Sequence, residues 1–472
     1  MGIKRGRIET FNDDELVIAL PDLAVVTKTL ADLGVQLGPI DHSPALGLAL
    51  VRGLANVGAA VGALLDGEHI GPRLAGFRRK LAQAQAGAPD ADVADLLLLI
   101  KGVRLKLARD YPGWKVAIGK NYRQSPVKGY PHIGGGNGDP EPVDAELGRA
   151  SSGDRPGTEL GGGVRVGLLD TRMYPHPWLT GHYLAQRHDV IDHYQDSFTV
   201  FDGHCAFVAS CILQEAPAAE IHVRHVLDCQ GDSTAWDAAV AMAEAARTPV
   251  DVVNLSFGEF CTDDNTAPMV FEAAVKQFSR DTVLVAAAGN NGDVENLPSG
   301  LVPDGVGPNT ASYPAALVDV VGVGALDRNG NRAAFTPHPA PWISLLAPGV
   351  GLTGAYVRGV VTVEHKDSAG AVLDSKPVTF PGTARWEGCS FAAGVVSGAI
   401  AAGTVPGQRS ARQALQELLD QKQPHGLADV VDVGAVQLVA AADGPHQRGV
   451  TLHDLVPGTL VTVAGALDEH DD

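Results

Sequence analysis

Asp170, His204 and Ser390 are the residues whose types and positions most directly suggest chemistry. Asp170 ends the apolar run in GVRVGLLDTRMYPHP, His204 opens an apparent helix in FDGHCAFVAS, and Ser390 opens another in EGCSFAAGVVSGAIAAG. An acid, a base and a hydroxyl are what nucleophilic acyl transfer needs. The hydroxyl attacks, the imidazole takes its proton, and the carboxylate holds the imidazole in one tautomer and steadies the imidazolium. Their chain order is Asp, His, Ser. Asn290 lies in a Gly-Asn-Asn-Gly turn after the apolar run VLVAAA, so its amide can project into a cleft instead of being consumed by a strand ladder. The backbone N–H of Ser390, in the first turn of its helix, is a donor left unsatisfied at the positive end of the helix dipole. Both donors could meet a developing oxyanion.

Such groups need a rigid frame, and the apolar runs describe one. Residues 164–169, 221–227, 250–255, 282–287 and 318–323 have strand length and alternate with helical stretches at 233–247 and 266–278. Short Val-rich strands alternating with helices make a parallel sheet covered on both faces. The expected fold class is α/β, a doubly wound and mostly parallel sheet, with a smaller N-terminal α+β domain. Ligand sites on such sheets lie at the carboxyl ends of the strands, where Asp170 and Asn290 fall. In the N-terminal region, ELVIAL at 15–20 reads as a strand, and 21–33 as a helix with Pro in its first turn. Val93, Leu96, Leu97, Ile100, Val103 and Leu107 recur at spacings of three and four, as one face of a buried helix would. Gly, Pro, Asp and Ser then dominate residues 123–163, which read as a linker. The expected division is an N-terminal α+β domain at 1–122, a linker at 123–160, a catalytic domain at 161–442 and a C-terminal extension at 443–472.

Around the three chemical residues the sequence resembles the subtilisin-like serine peptidases of family S8, of the intracellular bacterial kind. VDVVNLSFG (250–258) is similar to that family's substrate strand, and VLVAAAGNNG (283–292) to its oxyanion-asparagine segment. ASYPAALVDVVGVGALDRNGNRAAFT (311–336), LLAPGVGL (345–352) and GLADVVDVGAVQLV (426–439) resemble later landmarks in the family's order. The resemblance implies a serine endopeptidase acting on peptides or proteins. Asp170, His204 and Ser390 carry over as its triad, and Asn290 as its side-chain oxyanion donor. It also implies that Ser256, Phe257 and Gly258 bind substrate backbone by β-addition and wall the pocket beside the scissile bond. No cofactor is required; a structural calcium ion is usual in the family, with no ligand loop assignable here. Four positions depart from the family pattern: Thr171-Arg172 after the acid, Cys205-Ala206 after the base, Cys389 before the nucleophile, and Gly394 in place of a Pro. Gly394 is expected to loosen the helix start. Because Cys205 and Cys389 adjoin the triad, thiol oxidation or a thiophilic metal is expected to inhibit. These altered flanks are the support for an alternative reading, a catalytically impaired pseudopeptidase that binds peptides.

Composition narrows the rest. The 55 acidic and 36 basic residues give a net charge of −19, which argues against nucleic acid or an anionic membrane surface as partner. Hydrophobic residues at 45% and charged residues at 19% exclude global disorder. Asp13, Asp14 and Glu15 precede the first apolar run, unlike a secretory signal, and no stretch reaches the roughly 18 apolar residues of a membrane span. Five cysteines, all after residue 200 and without CxxC pairing, suit free thiols and a cytoplasmic setting. His222, His225 and Cys229 have a zinc-like spacing, but on a strand positions three apart face opposite ways, so no metal is expected there. Alternating segments around Ser368-Ala369-Gly370 read as a β-hairpin leading into Ser390, either a flap over the cleft or an edge decoration.

Overall fold

Successive side chains of a strand point to opposite faces, so each Val-rich run must feed two hydrophobic layers. The computed structural model describes residues 11–86, 93–126, 138–147, 160–191, 197–261, 267–294, 306–366 and 372–420, and shows this division throughout.

The N-terminal unit opens with β1 (Phe11–Ala19), a 3-10 turn at Leu20–Asp22 with Pro in its first positions, and α1 (Leu23–Asp32). The hairpin β2 (Ile40–Ser43) and β3 (Leu48–Val51) leads to α2 (Val57–Asp66), α3 (Gly71–Ala86) and α4 (Asp95–Asp110). The strand β4 (Ile118–Pro126) completes an antiparallel sheet in which β1 lies between β3 and β4. It runs past residue 122, into the stretch whose composition reads as linker. There it pairs antiparallel with two short strands of the catalytic domain.

Past the two-residue strand β5 (Glu141–Pro142), the catalytic domain begins with β6 (Arg165–Asp170), β7 (Tyr183–Leu184), β8 (Phe198–Thr199) and α5 (His204–Glu215). Next come β9 (Glu220–His225), β10 (Ser233–Thr234), α6 (Ala235–Ala245), β11 (Val252–Leu255), β12 (Phe257–Phe260) and α7 (Met269–Val275). The strands β13 (Val283–Ala287), β14 (Ser312–Tyr313), β15 (Val320–Leu326) and β16 (Ile343–Pro348) follow. A long hairpin of β17 (Leu352–Lys366) and β18 (Val372–Trp386) then delivers the chain to α8 (Cys389–Gly403) and α9 (Ala411–Asp420).

The central sheet has the order β16, β15, β13, β11, β6, β9, β7, with every pair parallel. Val166, Val252, Val283 and Val285 belong to the core shared with α5 and α8. Leu169, Val253, Leu284 and Ala286 belong to the core on the other face, with Trp236 of α6 and Phe271 of α7. That second core is continuous with the N-terminal unit through Leu16, Leu50 and Leu99, so the unit is seated on the α6/α7 face. The two helices expected at 233–247 and 266–278 are both present but shorter, and Thr234 caps α6 by accepting the N–H of Asp237 at 3.1 Å. The sequence from 421 onward, including 426–439 and the extension at 443–472, lies outside the described residues.

Candidate active site

The chain leaves β6 for its neighbour β9 on one side and later returns to its neighbour β11 on the other, so the sheet's switch point lies at the carboxyl end of β6. Asp170 is the last residue of that strand and is fully buried. Its Oδ1 accepts the N–H of Thr171 at 2.7 Å and lies 2.7 Å from His204 Nδ1, the contact of an imidazole N–H donating to a carboxylate. Oδ2 finds no protein donor among the described residues. His204 opens α5, preceded by Gly203, where a Cβ would stand 2.1 Å from the ring of Tyr356. Only glycine lets the helix begin so close to β17.

Ser390 lies in the first turn of α8, which packs on α5 and crosses β11, β13 and β15. Its hydroxyl donates to the carbonyl of Ser256 at 3.1 Å, and the single proton of the Ser256 hydroxyl has two acceptors in reach, Asn254 Oδ1 at 2.7 Å and the Ser390 carbonyl at 2.9 Å. Asn290 follows β13, and its Oδ1 accepts the N–H of Cys389 at 3.0 Å, which locks the side chain against the head of α8. Ser256, Phe257 and Gly258 carry the chain from β11 into β12, and β12 pairs with β4 in the register Phe257↔Pro126 and Gly258↔Ser125. The seven residues singled out from sequence therefore gather at one end of the sheet, and an extended strand already lies on the one expected to bind backbone.

An aromatic wall completes the site. Trp386, at the end of β18, stands edge-on to His204 with ring centroids 5.6 Å apart, and Phe391 lies 5.4 Å from the same imidazole. The hairpin is thus packed into the site by Tyr356, Phe380 and Trp386; its tip, with Ser368-Ala369-Gly370, falls outside the described residues. Sequence reading missed Trp386; its position four residues before Ser390 was the available signal.

The flanking departures have structural reasons. Gly394 sits where α5 and α8 meet, and a Cβ there would come within 3.1 Å of the Cys211 Cβ and 3.3 Å of the Val208 carbonyl, so it tightens a helix contact instead of loosening a helix start. Cys205 and Cys389 are fully buried. Burial pushes the Cys389 thiol up to about 12 and that of Cys205 well above its ordinary value, which leaves almost no thiolate to react. The expectation of easy thiol inhibition is corrected accordingly. Cys389 Sγ lies 3.7 Å from Thr336 Oγ1.

His222 and His225 have separate partners, Glu220 at 2.6 Å and Asp189 at 2.9 Å, as their opposite strand faces require. His188, Asp189 and His225 do cluster. Two imidazoles and one carboxylate suit a transition metal better than calcium, which takes oxygen ligands. The Asp189 carboxylate is already engaged by the N–H groups of Gln186 and His225 and by Arg224 at 3.4 Å. Burial alone would raise its pKa, but the hydrogen bond from the His225 imidazole, with those from the His225 and Gln186 N–H groups and the nearby His188, carries it below the ordinary value.

A profile of the subtilase family (peptidase S8) matches residues 161–422. Over 205 residues the chain is 30% identical to subtilisin Savinase of Lederbergia lenta, an alignment covering 42% of this chain and 67% of that protein. It is likewise 30% identical over 205 residues to an alkaline protease of Shouchella clausii, where 42% of this chain matches 48% of that one, so it spans about half of that relative's length. Among solved structures, fervidolysin from Fervidobacterium pennivorans aligns with a TM-score of 0.47 at 16% identity, over 85% of this chain and 55% of that one. Among the described residues, no helix is long and apolar enough to cross a membrane.

Proposed function

The chain belongs to the subtilase family, and from that membership we propose that it is a serine endopeptidase working through an acyl-enzyme on Ser390. The observation that carries the reading is the buried Asp170–His204 contact at 2.7 Å, beside a serine at the head of α8. In the reaction, the Ser390 hydroxyl turns from the Ser256 carbonyl toward His204. Its Oγ attacks the peptide carbonyl carbon while His204 Nε2 takes the proton. The C–N bond then breaks as His204 passes that proton to the leaving amine, and water, deprotonated by the same imidazole, hydrolyses the ester. Asn290, with its oxygen held by the Cys389 N–H, directs its amide donors at the oxyanion. Imidazole, hydroxyl and amide supply every step, so no cofactor is called for.

The N-terminal unit acts, in this reading, as an attached inhibitor. β4 adds itself to β12 and, through Gln124↔Ser233 and Arg123↔Thr234, to β10, so it lies where an extended substrate would pair. His204 and Ser390 are only 2% exposed with the unit in place. Activity would then follow a cut between Pro126 and Gly138, at the expense of the chain's own linker. All five cysteines are free and Cys229 is exposed, which suits a reducing cytoplasm and an intracellular enzyme.

The test is labelling by a fluorophosphonate. The full chain, once processed, should label, and Ser390→Ala should not. A processed chain that never labels between pH 6 and 10 would overturn the enzyme and favour the peptide-binding pseudopeptidase, for which the Ser390–Ser256 hydrogen bond is the supporting contact.

A further inference from the structure

Beyond the inhibitory strand, a second stretch of the chain is bound at the other side of the catalytic histidine. The indole N–H of Trp386 donates to the Gly138 carbonyl at 2.6 Å, and the same ring stands edge-on to His204. From Gly138 the chain runs along the outer edge of β18, pairing Glu141 with Arg385 and Pro142 with Ala384. The Val143 N–H donates to the Thr383 carbonyl at 3.3 Å, and the Thr383 hydroxyl donates back to the Val143 carbonyl. The stretch ends where the Trp178 indole N–H donates to the Leu147 carbonyl at 2.9 Å. Pro140 is buried, and Leu147 packs against the α5/α8 core.

The direction of the chain matters. Its N-terminal side lies on β12, next to Ser256, and its C-terminal side lies beyond His204, on β18. A substrate presents its acyl half and its leaving half in the same order, and the leaving half must pass the imidazole that protonates the departing amine. The edge of β18 therefore lies on the leaving side of the scissile bond. The hydrogen bonds to Trp386, β18 and Trp178 all use main-chain carbonyls and N–H groups of residues 138–147, so the surface reads extended backbone, with the Glu141–Arg385 ion pair at 4.0 Å and the packing of Leu147 beside them.

We propose that the edge of β18, with Trp178 and Trp386, receives the leaving half of a polypeptide substrate, and that residues 138–147 are a tethered occupant of that surface. Cutting between Pro126 and Gly138 frees the N-terminal unit but leaves this strap joined to the catalytic domain. A tethered competitor acts at an effective concentration in the millimolar range. The processed enzyme consequently prefers substrates with few residues after the scissile bond.

This inference rests on the serine-peptidase reading, and two measurements separate its failure from the failure of that reading. The first uses the processed enzyme obtained from the full chain and two peptides that share one acyl half. One ends in a p-nitroanilide, and the other continues for about six residues of extended chain, enough to span the β18 edge. Val143→Pro removes the N–H that holds the strap to Thr383, and a deletion of residues 139–147 removes the strap. Both variants should raise kcat/KM on the long peptide about tenfold or more and leave the anilide within about twofold. Equal gains on both substrates, or none on the long one, would overturn the proposal.

The second measurement needs no catalysis. A fluorescent peptide copying residues 138–147 should bind the Ser390→Ala chain that lacks 139–147, and bind the intact Ser390→Ala chain much more weakly. Equal anisotropy curves for the two proteins would overturn the surface even if the enzyme never turned over.

Discussion

Asn290 Oδ1 accepts the main-chain N–H of Cys389 at 3.0 Å, so the turn after β13 and the head of α8 are joined by the amide proposed to meet the oxyanion. In the proposed mechanism the oxygen of this amide serves structure and its nitrogen serves the oxyanion. Gly388, next to Cys389, belongs to this arrangement: a Cβ there would be 3.6 Å from Asn290 Nδ2.

Asn290→Asp separates the two roles. The carboxylate keeps an acceptor for the Cys389 N–H but has no donor for the oxyanion. We expect kcat to fall by roughly 10²–10³, with KM little changed, because the lost interaction exists only in the transition state. Steady-state kinetics on the anilide peptide check this; a rise in KM at constant kcat would assign Asn290 to substrate binding instead.

Gly203→Ala should be costly. The added methyl meets the Tyr356 ring, which is buried and held by its hydroxyl to the Val200 carbonyl at 2.6 Å, so neither side can yield easily. Overpacking of this kind costs about 1–3 kcal/mol. Because His204 is the next residue, the strain should also appear as slower fluorophosphonate labelling. Tyr356→Leu in the same chain should relieve part of both effects, and its failure to do so would place the strain elsewhere.

Much of the site is legible before any coordinates, for a physical reason. Asp170 and Asn290 follow apolar runs, His204 and Ser390 open helices, and burial patterns with a period of two or 3.6 mark where such elements end. That β6, β11 and β13 lie in a parallel sheet is legible for the same reason, since Val-rich runs bury both faces; their order in it is not. Hidden are the contacts made by main chain alone. Ser125 and Pro126 pair with β12, and Glu141 and Pro142 with β18, from within a stretch whose Gly, Pro and Asp content predicts a linker. A strand that is held at its edge by a partner needs no apolar alternation of its own. The buried thiols of Cys205 and Cys389 are hidden likewise, because adjacency in sequence to a reactive residue does not reveal on which side of a helix a side chain packs.

Asn121 should hold the N-terminal unit in place. Its Oδ1 accepts the N–H of Trp236 in the first turn of α6 at 3.0 Å, and its Nδ2 donates to Glu15 Oε2 at 2.6 Å. Both partners are buried, so Asn121→Ala leaves the Trp236 N–H without its acceptor at the joint between the unit and the catalytic domain, while Glu15 Oε2 keeps the Asn12 amide at 2.8 Å. A loss of about 1–3 kcal/mol is expected. Urea unfolding in the Ser390→Ala background, where self-cleavage cannot intervene, measures it; an unchanged midpoint would mean that the joint is held by apolar contacts alone.

Glu215, at the end of α5, predicts a pH dependence of stability separate from that of catalysis. Burial pushes its carboxyl from the ordinary 4.5 up to about 7, so between those values the folded chain holds a proton that the unfolded chain has released. Stability from this group is fully present below the unfolded value and is lost as pH rises through the folded one; above about pH 7 the fold carries a partly buried carboxylate. The full difference amounts to about 3 kcal/mol. Glu215→Gln keeps the shape and hydrogen-bonding capacity of the neutral acid but cannot ionise. In the Ser390→Ala background, the variant should match its parent near pH 4.5 and exceed it by about 3 kcal/mol at pH 8.5 in urea unfolding. Parallel stability curves for the two proteins across that range would show that Glu215 ionises in the fold as easily as it does in water.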